Sequence, residues 1–354
     1  MSQYFFLKVK YVVKETDNAV TIIFDKPTTN VAYKSGQFLT FILDIEGEKI
    51  RRSYSLCSSP YTDQDWAVSV KRVEGGKMSN WLIDKIQAGD VIEVMAPAGI
   101  FTYEPQAANA TDLVLVGGGS GITPLISIIK TALSQEQQSR VFLLYTNRNE
   151  NSVIQQKELE KLQAAYPQRF FCSYVYTQPL AKPAGIWGRL NQYSIKDLLQ
   201  TFPGIRFDTA LFFVCGPQAL MDESFQALDA LHVPHNNVRK ESFYSAAHTH
   251  TDHSPAAASA SGGGDVLVNI KYNKHEYKVK VAPGQTILEA ALDQDIDLPY
   301  SCQSGMCTAC MGKCKSGKVE MDEPDGLSEN EIRQGFVLTC VGKPLTEDVL
   351  IEID

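Results

Sequence analysis

The chain of 354 residues reads as a multidomain protein. An antiparallel β-barrel comes first, a doubly wound α/β domain second, and a small domain around a cysteine loop last. Three observations predict this. Strand-like runs cut by glycine turns fill the chain to about residue 104. Strands alternating with helices follow from Asp112, and four cysteines at metal-ligand spacing mark the final segment.

In the first segment, Val20–Phe24, Gln37–Ile42 and Trp66–Val73 are rich in β-branched and aromatic residues. Ser35-Gly36, Glu74-Gly75-Gly76 and Ala88-Gly89-Asp90 separate them as turns. Only Ser79 to Ile86 has a helical pattern, so the segment is expected to close as a barrel. In the second, Leu113–Val116 runs into glycines and then a helical pattern from Pro124. Val141–Tyr145 precedes a helix around Gln155–Tyr166, Phe170–Tyr176 is a further strand, and Ala210–Val214 leads into a helix from Gln218. That alternation predicts a doubly wound parallel sheet.

Ser245 to Gly264 is rich in Ala, Ser, His and Gly and reads as a flexible linker. His248, His250 and His253 lie within it; a solvated tether explains them better than a metal site, because nothing nearby fixes a geometry. From Val266 the pattern gives two strands, a helix near Ile287–Gln294, the cysteine loop and a closing strand at Val349–Ile353.

Cys302, Cys307 and Cys310 stand at C-x4-C-x2-C spacing, with Cys340 thirty residues on. This is the plant-type ligand pattern of a [2Fe–2S] cluster. Ser304, Gly305, Thr308 and Ala309 are small enough to let backbone amides turn toward the sulfurs. A structural zinc site usually shows two C-x2-C knuckles, and one is present. Cys57, Cys172, Cys215 and Cys314 are scattered, as in a reducing compartment. A one-electron carrier needs a source of electrons, and the preceding segments are read as that source.

The net charge of −8 argues against general nucleic-acid binding, which requires a basic face. From Asp265 onward nine Lys/Arg face sixteen Asp/Glu, including the run Asp322-Glu323-Pro324-Asp325, so an acidic face is expected near the cluster loop. The N-terminus lacks an apolar signal core, and the longest uncharged run, Leu113 to Ile129, is short for a span and carries four glycines. No membrane insertion and a cytoplasmic location are expected.

Arg51-Arg52-Ser53-Tyr54-Ser55 has the chemistry to meet a flavin nucleotide. The arginine can grip a pyrophosphate, the tyrosine two residues on can lie on a flavin ring, and the serine can donate to the ring edge. Alone, this motif is weak, and an ordinary half-buried strand explains it better. Gly75-Gly76-Lys77-Met78-Ser79 strengthens it by opening a helix whose amides can hold phosphate. Gly117-Gly118-Gly119-Ser120-Gly121-Ile122-Thr123-Pro124 joins a buried strand to a helix, the setting of a pyrophosphate loop, although a tight structural turn would look similar. Cys215-Gly216-Pro217 ends a later strand, where open α/β sheets bind ligands.

On these motifs, residues 1–244 resemble the ferredoxin–NADP reductase superfamily, and 265–354 resemble plant-type ferredoxins of the β-grasp (α+β) fold. The resemblance implies an FAD-binding β-barrel over 1–105, an NAD(P)H-binding domain over 106–244, a linker over 245–264 and the ferredoxin domain over 265–354. It implies that Arg52, Tyr54, Ser55, Gly76 and Ser79 hold FAD, and that Gly118, Thr123, Cys215, Gly216 and Pro217 serve NADH or NADPH. Glu241, in Glu241-Ser242-Phe243, would lie near the flavin, with Ser55 and Cys215 as the catalytic pair. Cys302, Cys307, Cys310 and Cys340 would hold the cluster, leaving Cys314 a bystander.

Reductase first and ferredoxin last is similar to the reductase components of bacterial oxygenases, ring-epoxidising ones above all. An oxygenase electron acceptor of the diiron kind is therefore the expected partner. A hybrid-cluster protein, a desaturase or another hydroxylase are alternative acceptors, and a non-catalytic electron carrier would require lost cofactor loops. One departure stands out. NADP-specific members often carry Ser/Thr-Arg after the third strand, where this chain has Thr177-Gln178; Arg148 could substitute, so the choice of nucleotide stays open.

Overall fold

A computed structural model describes residues 4–27, 31–181, 185–243, 265–303, 305 and 307–353. The expected linker lies outside the described residues, as does Ser304. The chain forms two compact units, one ending at Phe243 and the other following it.

The first unit begins with β1 (Tyr4–Thr16), β2 (Ala19–Phe24), β3 (Phe38–Ile45), β4 (Glu48–Ser55), β5 (Trp66–Lys71), α1 (Lys77–Asp84) and β6 (Val91–Met95). The six strands form one antiparallel sheet in the order β4-β3-β6-β1-β2-β5. An antiparallel bridge from Leu56 to Val68 ties its two ends, so the sheet curls shut. Alternation does the sorting: Phe5, Leu7 and Val9 on β1 point inward with Phe24, Phe41, Val68 and Val94. β2 departs from alternation because both its faces are buried. Ile22 and Phe24 fill the barrel, while Ala19 packs into the core of the following domain.

The same unit continues with β7 (Asp112–Gly118), α2 (Ile122–Gln135), β8 (Arg140–Asn147), α3 (Gln156–Ala165), β9 (Phe170–Tyr176), α4 (Gln192–Thr201), β10 (Leu211–Gly216), α5 (Gln218–Ala230) and β11 (Val238–Ser242). The sheet is wholly parallel, in the order β11-β10-β7-β8-β9. β7 is buried throughout. Its odd residues Leu113 and Leu115 pack under α2 and α3, and its even residues Val114 and Val116 under α4 and α5.

In the second unit, β12 (Val266–Tyr272), β13 (His275–Val281), α6 (Ile287–Asp293), β14 (Met311–Ser316), β15 (Val319–Met321), α7 (Glu329–Arg333), β16 (Phe336–Leu338), β17 (Gly342–Pro344) and β18 (Leu350–Ile353) follow in order. Five strands form a mixed sheet, β13-β12-β18-β14-β16, in which β12 and β18 are parallel. α6 starts at a capping box of Thr286 and Glu289 and buries Ile287, Leu288, Ala290 and Ala291 on this sheet.

Arg51–Ser55 lies on a strand, β4, in keeping with its reading as a half-buried strand. Two local readings change. The short barrel helix starts at Lys77, since Gly76 is its extended N-cap, and ends at Asp84. α4 and β11 carried no strong signal in the sequence. α4 is fixed by Asn191 and Ser194 capping one another, and β11 is a half-polar edge strand.

Candidate functional site

The sheet order places a switch point between β7 and β10. From β7 the chain moves outward to β8 and β9, then returns to the other side of β7 as β10. Ligands of open α/β sheets bind in the crevice at such a point, beyond the strands' carboxyl ends. Here the glycine loop and the Cys215-Gly216-Pro217 segment meet there. A Cβ on Gly121 would come within 2.1 Å of the Cys215 carbonyl oxygen, so only glycine allows this approach. Gly118 packs against Pro217 and Leu220 in the same way.

α2 has no side-chain cap and no acidic residue in its first turn, so its leading amides keep their positive character for an anion. Thr123 is buried and donates to the Ser120 carbonyl at 3.0 Å, which fixes the loop from within. Lys71, the last residue of β5, lies over the same loop, its Nζ 3.1 Å from where a Gly119 Cβ would stand. Desolvation, and then the charge of Arg148, hold its ammonium below the usual lysine value.

The barrel meets the parallel sheet at Ser55, whose hydroxyl donates to Glu241 at 3.3 Å. Glu241 on β11 stands beside fully buried Cys215 on β10 in the parallel register. Burial pushes the Glu241 carboxyl up to about 8, against a smaller pull from Ser55. Burial, then the charge of Glu241, raises the Cys215 thiol well above its usual range. At neutral pH both groups hold their protons, giving a neutral, desolvated junction suited to a ring carrying transferable hydrogen.

On β4, Arg52 and Tyr54 share one face. Arg52 is exposed and Tyr54 half-buried against Phe41, with ring centroids 5.0 Å apart. Gly76 caps α1 without a side chain, and the first turn holds no acid. Ser79 is buried at its start, accepting from the Val73 amide at 3.2 Å. An exposed guanidinium, a ring on the same strand face and an uncapped helix start fit a flavin nucleotide.

In the second unit, the four thiols of the expected ligand set interact with one another. Cys307 and Cys340 each interact with Cys302, and Cys340 also with Cys310. Cys302 contacts push the Cys307 and Cys340 thiols far up, while Cys340 draws Cys310 down. Such crowding of protons is relieved when thiolates bind metal. The Gly305 amide donates to Cys340 Sγ at 3.4 Å. Gly305 has φ 71°, and a Cβ there would lie 2.5 Å from the Glu323 carbonyl oxygen. The donor set fits an iron–sulfur group. The same close approach brings the acidic run Asp322–Asp325 against the loop, with the Gly326 amide donating to the Gly305 carbonyl at 2.7 Å. Cys314 points elsewhere, to the Ser316 carbonyl at 3.1 Å.

Family models match all three parts: an oxidoreductase FAD-binding domain over 5–103, an oxidoreductase NAD-binding domain over 115–225 and a 2Fe-2S iron-sulfur cluster binding domain over 270–345. A subunit of 1,2-phenylacetyl-CoA epoxidase from Escherichia coli is 34% identical, across 100% of this chain and 99% of that protein. The ferredoxin reductase component of 3-ketosteroid-9-alpha-monooxygenase from Rhodococcus rhodochrous is 36% identical, across 98% and 96%. The chain belongs to the ferredoxin–NADP reductase superfamily, with a C-terminal ferredoxin domain. Phthalate dioxygenase reductase shares the fold at TM-score 0.58 and 22% identity, covering 99% of this chain and 98% of that one.

The chain thus has the FAD-binding, NAD-binding and 2Fe-2S cluster-binding domains of an oxidoreductase, and its relatives are named as components of oxygenases. Among its described residues no helix is long and apolar enough to cross a membrane. Two groups at the junction escaped the sequence. Lys71 ends a strand like any exposed lysine. Gln155 looks like a helix-start residue, yet it is buried, has φ 63°, and reaches Thr21 and Ser69 of the barrel. Only pairing of β2 with β5 brings those hydroxyls together.

Proposed function

We propose that this reductase draws electrons from NADH or NADPH and delivers them to a phenylacetyl-CoA epoxidase, a diiron oxygenase. Arg52, Tyr54, Ser55, Gly76 and Ser79 would hold FAD, Gly118, Thr123, Cys215, Gly216 and Pro217 the nicotinamide nucleotide, and Cys302, Cys307, Cys310 and Cys340 the cluster. Bound there, FAD supplies the change from two-electron hydride to single electrons, and the cluster supplies one-electron transfer. The residues position and insulate. α1 and α2 offer uncapped amides to phosphates. Cys215 and Glu241 exclude water and negative charge, and protonated Glu241 can return a proton to Ser55 Oγ.

The observation that carries the reading is the contact of Ser55, from the barrel, with Glu241 beside Cys215, from the parallel sheet. The choice of acceptor leans on the epoxidase relative, which matches end to end. The ketosteroid relative favours a second acceptor, a ketosteroid monooxygenase. Reconstitution separates them: the purified holoprotein, NADH or NADPH and the oxygenase part of the epoxidase should convert phenylacetyl-CoA to its epoxide. Flavin reduction without epoxide, alongside steroid hydroxylation with the other oxygenase, would move the assignment. Absence of flavin reduction would sink the reductase roles.

A further inference from the structure

The dinucleotide's path is set by two fixed points. The reacting ring belongs beside Cys215 at the end of β10, and the pyrophosphate belongs at the glycine loop after β7. Adenosine must therefore extend the other way across the sheet, over the carboxyl ends of β8 and β9. The side chains there decide between a ribose hydroxyl and a 2′-phosphate.

Two charged residues leave the end of β8, Arg148 and Glu150. Among the described residues no ion pair joins them. Arg148 lies near enough to Lys71 to lower its ammonium, and Lys71 lies over Gly119. Lys71 therefore serves the pyrophosphate side. Glu150 lies the other way. Its Oε2 accepts from the Leu180 amide at 3.0 Å, just beyond β9. Its charge also helps raise the Tyr176 hydroxyl, after burial. The loop that carries it is pinned, since the Asn149 amide donates to Ser152 Oγ at 3.0 Å and that hydroxyl donates back to the Asn149 carbonyl at 2.7 Å.

The backbone at the end of β9 offers a phosphate little. The Thr177 amide is spent on the Asn147 carbonyl at 2.9 Å and the Gln178 amide on the Arg148 carbonyl at 2.7 Å. Neither Thr177 nor Gln178 carries a cation. A carboxylate with one oxygen held by Leu180 has its second oxygen for a ribose diol, and it repels a dianionic 2′-phosphate.

We infer that Glu150 is the specificity residue of the nucleotide site and that the reductase uses NADH in preference to NADPH. Lys71 acts on the pyrophosphate, which both nucleotides share. The inference rests on the proposed hydride transfer from nucleotide to FAD.

Anaerobic stopped-flow reduction of the flavin in the full-length holoprotein, with each nucleotide varied, tests both levels. NADH should exceed NADPH in apparent second-order rate constant by about tenfold or more. Glu150→Gln should narrow that ratio at least about threefold, mainly by improving NADPH, and Glu150→Arg should narrow it further. Lys71→Ala should weaken both nucleotides alike. FAD and iron contents equal to the parent show that each variant is folded. A parent that uses NADPH as well as NADH, or a ratio unmoved in both Glu150 variants, overturns the inference while leaving the reductase reading intact. A Lys71 variant that loses NADPH selectively overturns the division of charges. If neither nucleotide reduces the flavin, the underlying reading falls and takes this one with it.

Discussion

Replacing Gln155 should loosen the barrel from the parallel-sheet domain, and three substitutions can tell why. Its Nε2 donates to Ser69 Oγ at 2.9 Å and to Thr21 Oγ1 at 3.1 Å, and its backbone amide donates to Glu15 Oε2 at 3.0 Å. In Gln155→Ala the two hydroxyls keep each other at 2.7 Å, and Thr21 keeps Glu15 at 2.6 Å. No buried hydroxyl is orphaned, so the loss is two hydrogen bonds at about 1 kcal/mol each. Lost packing of the buried side chain brings the total to about 3 kcal/mol. The φ of 63° adds a second effect, because an L side chain in the left-handed region costs about 1 kcal/mol that glycine avoids. Gln155→Gly should therefore be about 1 kcal/mol more stable than Gln155→Ala despite having fewer atoms. Gln155→Glu should be worse than either, placing a second carboxylate beside Glu15. Denaturant midpoints for loss of bound FAD report stability, and the rate of flavin reduction at saturating nucleotide reports geometry. Equal midpoints for alanine and glycine, with unchanged reduction rates, would refute both the strain and the latch.

Asp112 is 1% exposed and grips Arg140 through both oxygens at 2.9 Å, with Arg206 at 3.2 Å. Burial opposes its ionisation, but the two arginines outweigh burial and hold its carboxyl below the ordinary value. The stability it gives is present above about pH 4 and fades as pH falls through the lowered value. Asp112→Asn should cost about 3 kcal/mol at pH 7 and less in acid, by urea titration. Glu241 runs oppositely. With its folded value raised to about 8, its contribution falls as pH climbs from about 4.5 to 8, and Glu241→Gln should flatten that stretch of the stability profile. Iron analysis should find two irons lost in Cys340→Ser and retained in Cys314→Ser; the reverse would reassign the fourth ligand. Cluster-to-acceptor transfer should slow as salt rises, because the acidic run against the loop steers encounter over a Debye length of about 8 Å at 0.15 M. A second-order rate that ignores ionic strength would mean that these carboxylates only solubilise the domain.

The sequence was most legible where spacing alone carries chemistry. C-x4-C-x2-C made the 2Fe-2S domain legible because such a loop must bring three sulfurs to one place, and Gly117–Gly121 is legible because a strand must turn at once into a helix. Barrel strands could be read from β-branched runs. The Ser55–Glu241 contact could not, since 186 residues separate its partners and only the docking of two domains joins them. Gln155 and Glu150 were hidden for the same reason. Each has the composition of a polar helix start, and its use depends on which strand end lies opposite. α4 was missed because its cap is Asn191 paired with Ser194, a weaker signature than Ser or Thr with Glu.

The burial of β2 on both faces sets where this chain can be cut and recombined. Ile22 and Phe24 complete one hydrophobic interior and Ala19 another, so the strand is common property of the two nucleotide domains. A fragment ending near residue 105 would expose the side of β2 that carries Ala19 and Thr21 and should aggregate or fail to fold. The interchangeable part is the segment after Phe243, which has its own interior and, among the described residues, shares no strand with what precedes it. Chimeras that trade one ferredoxin for another at that boundary should keep nucleotide oxidation and change only the recipient of the electrons.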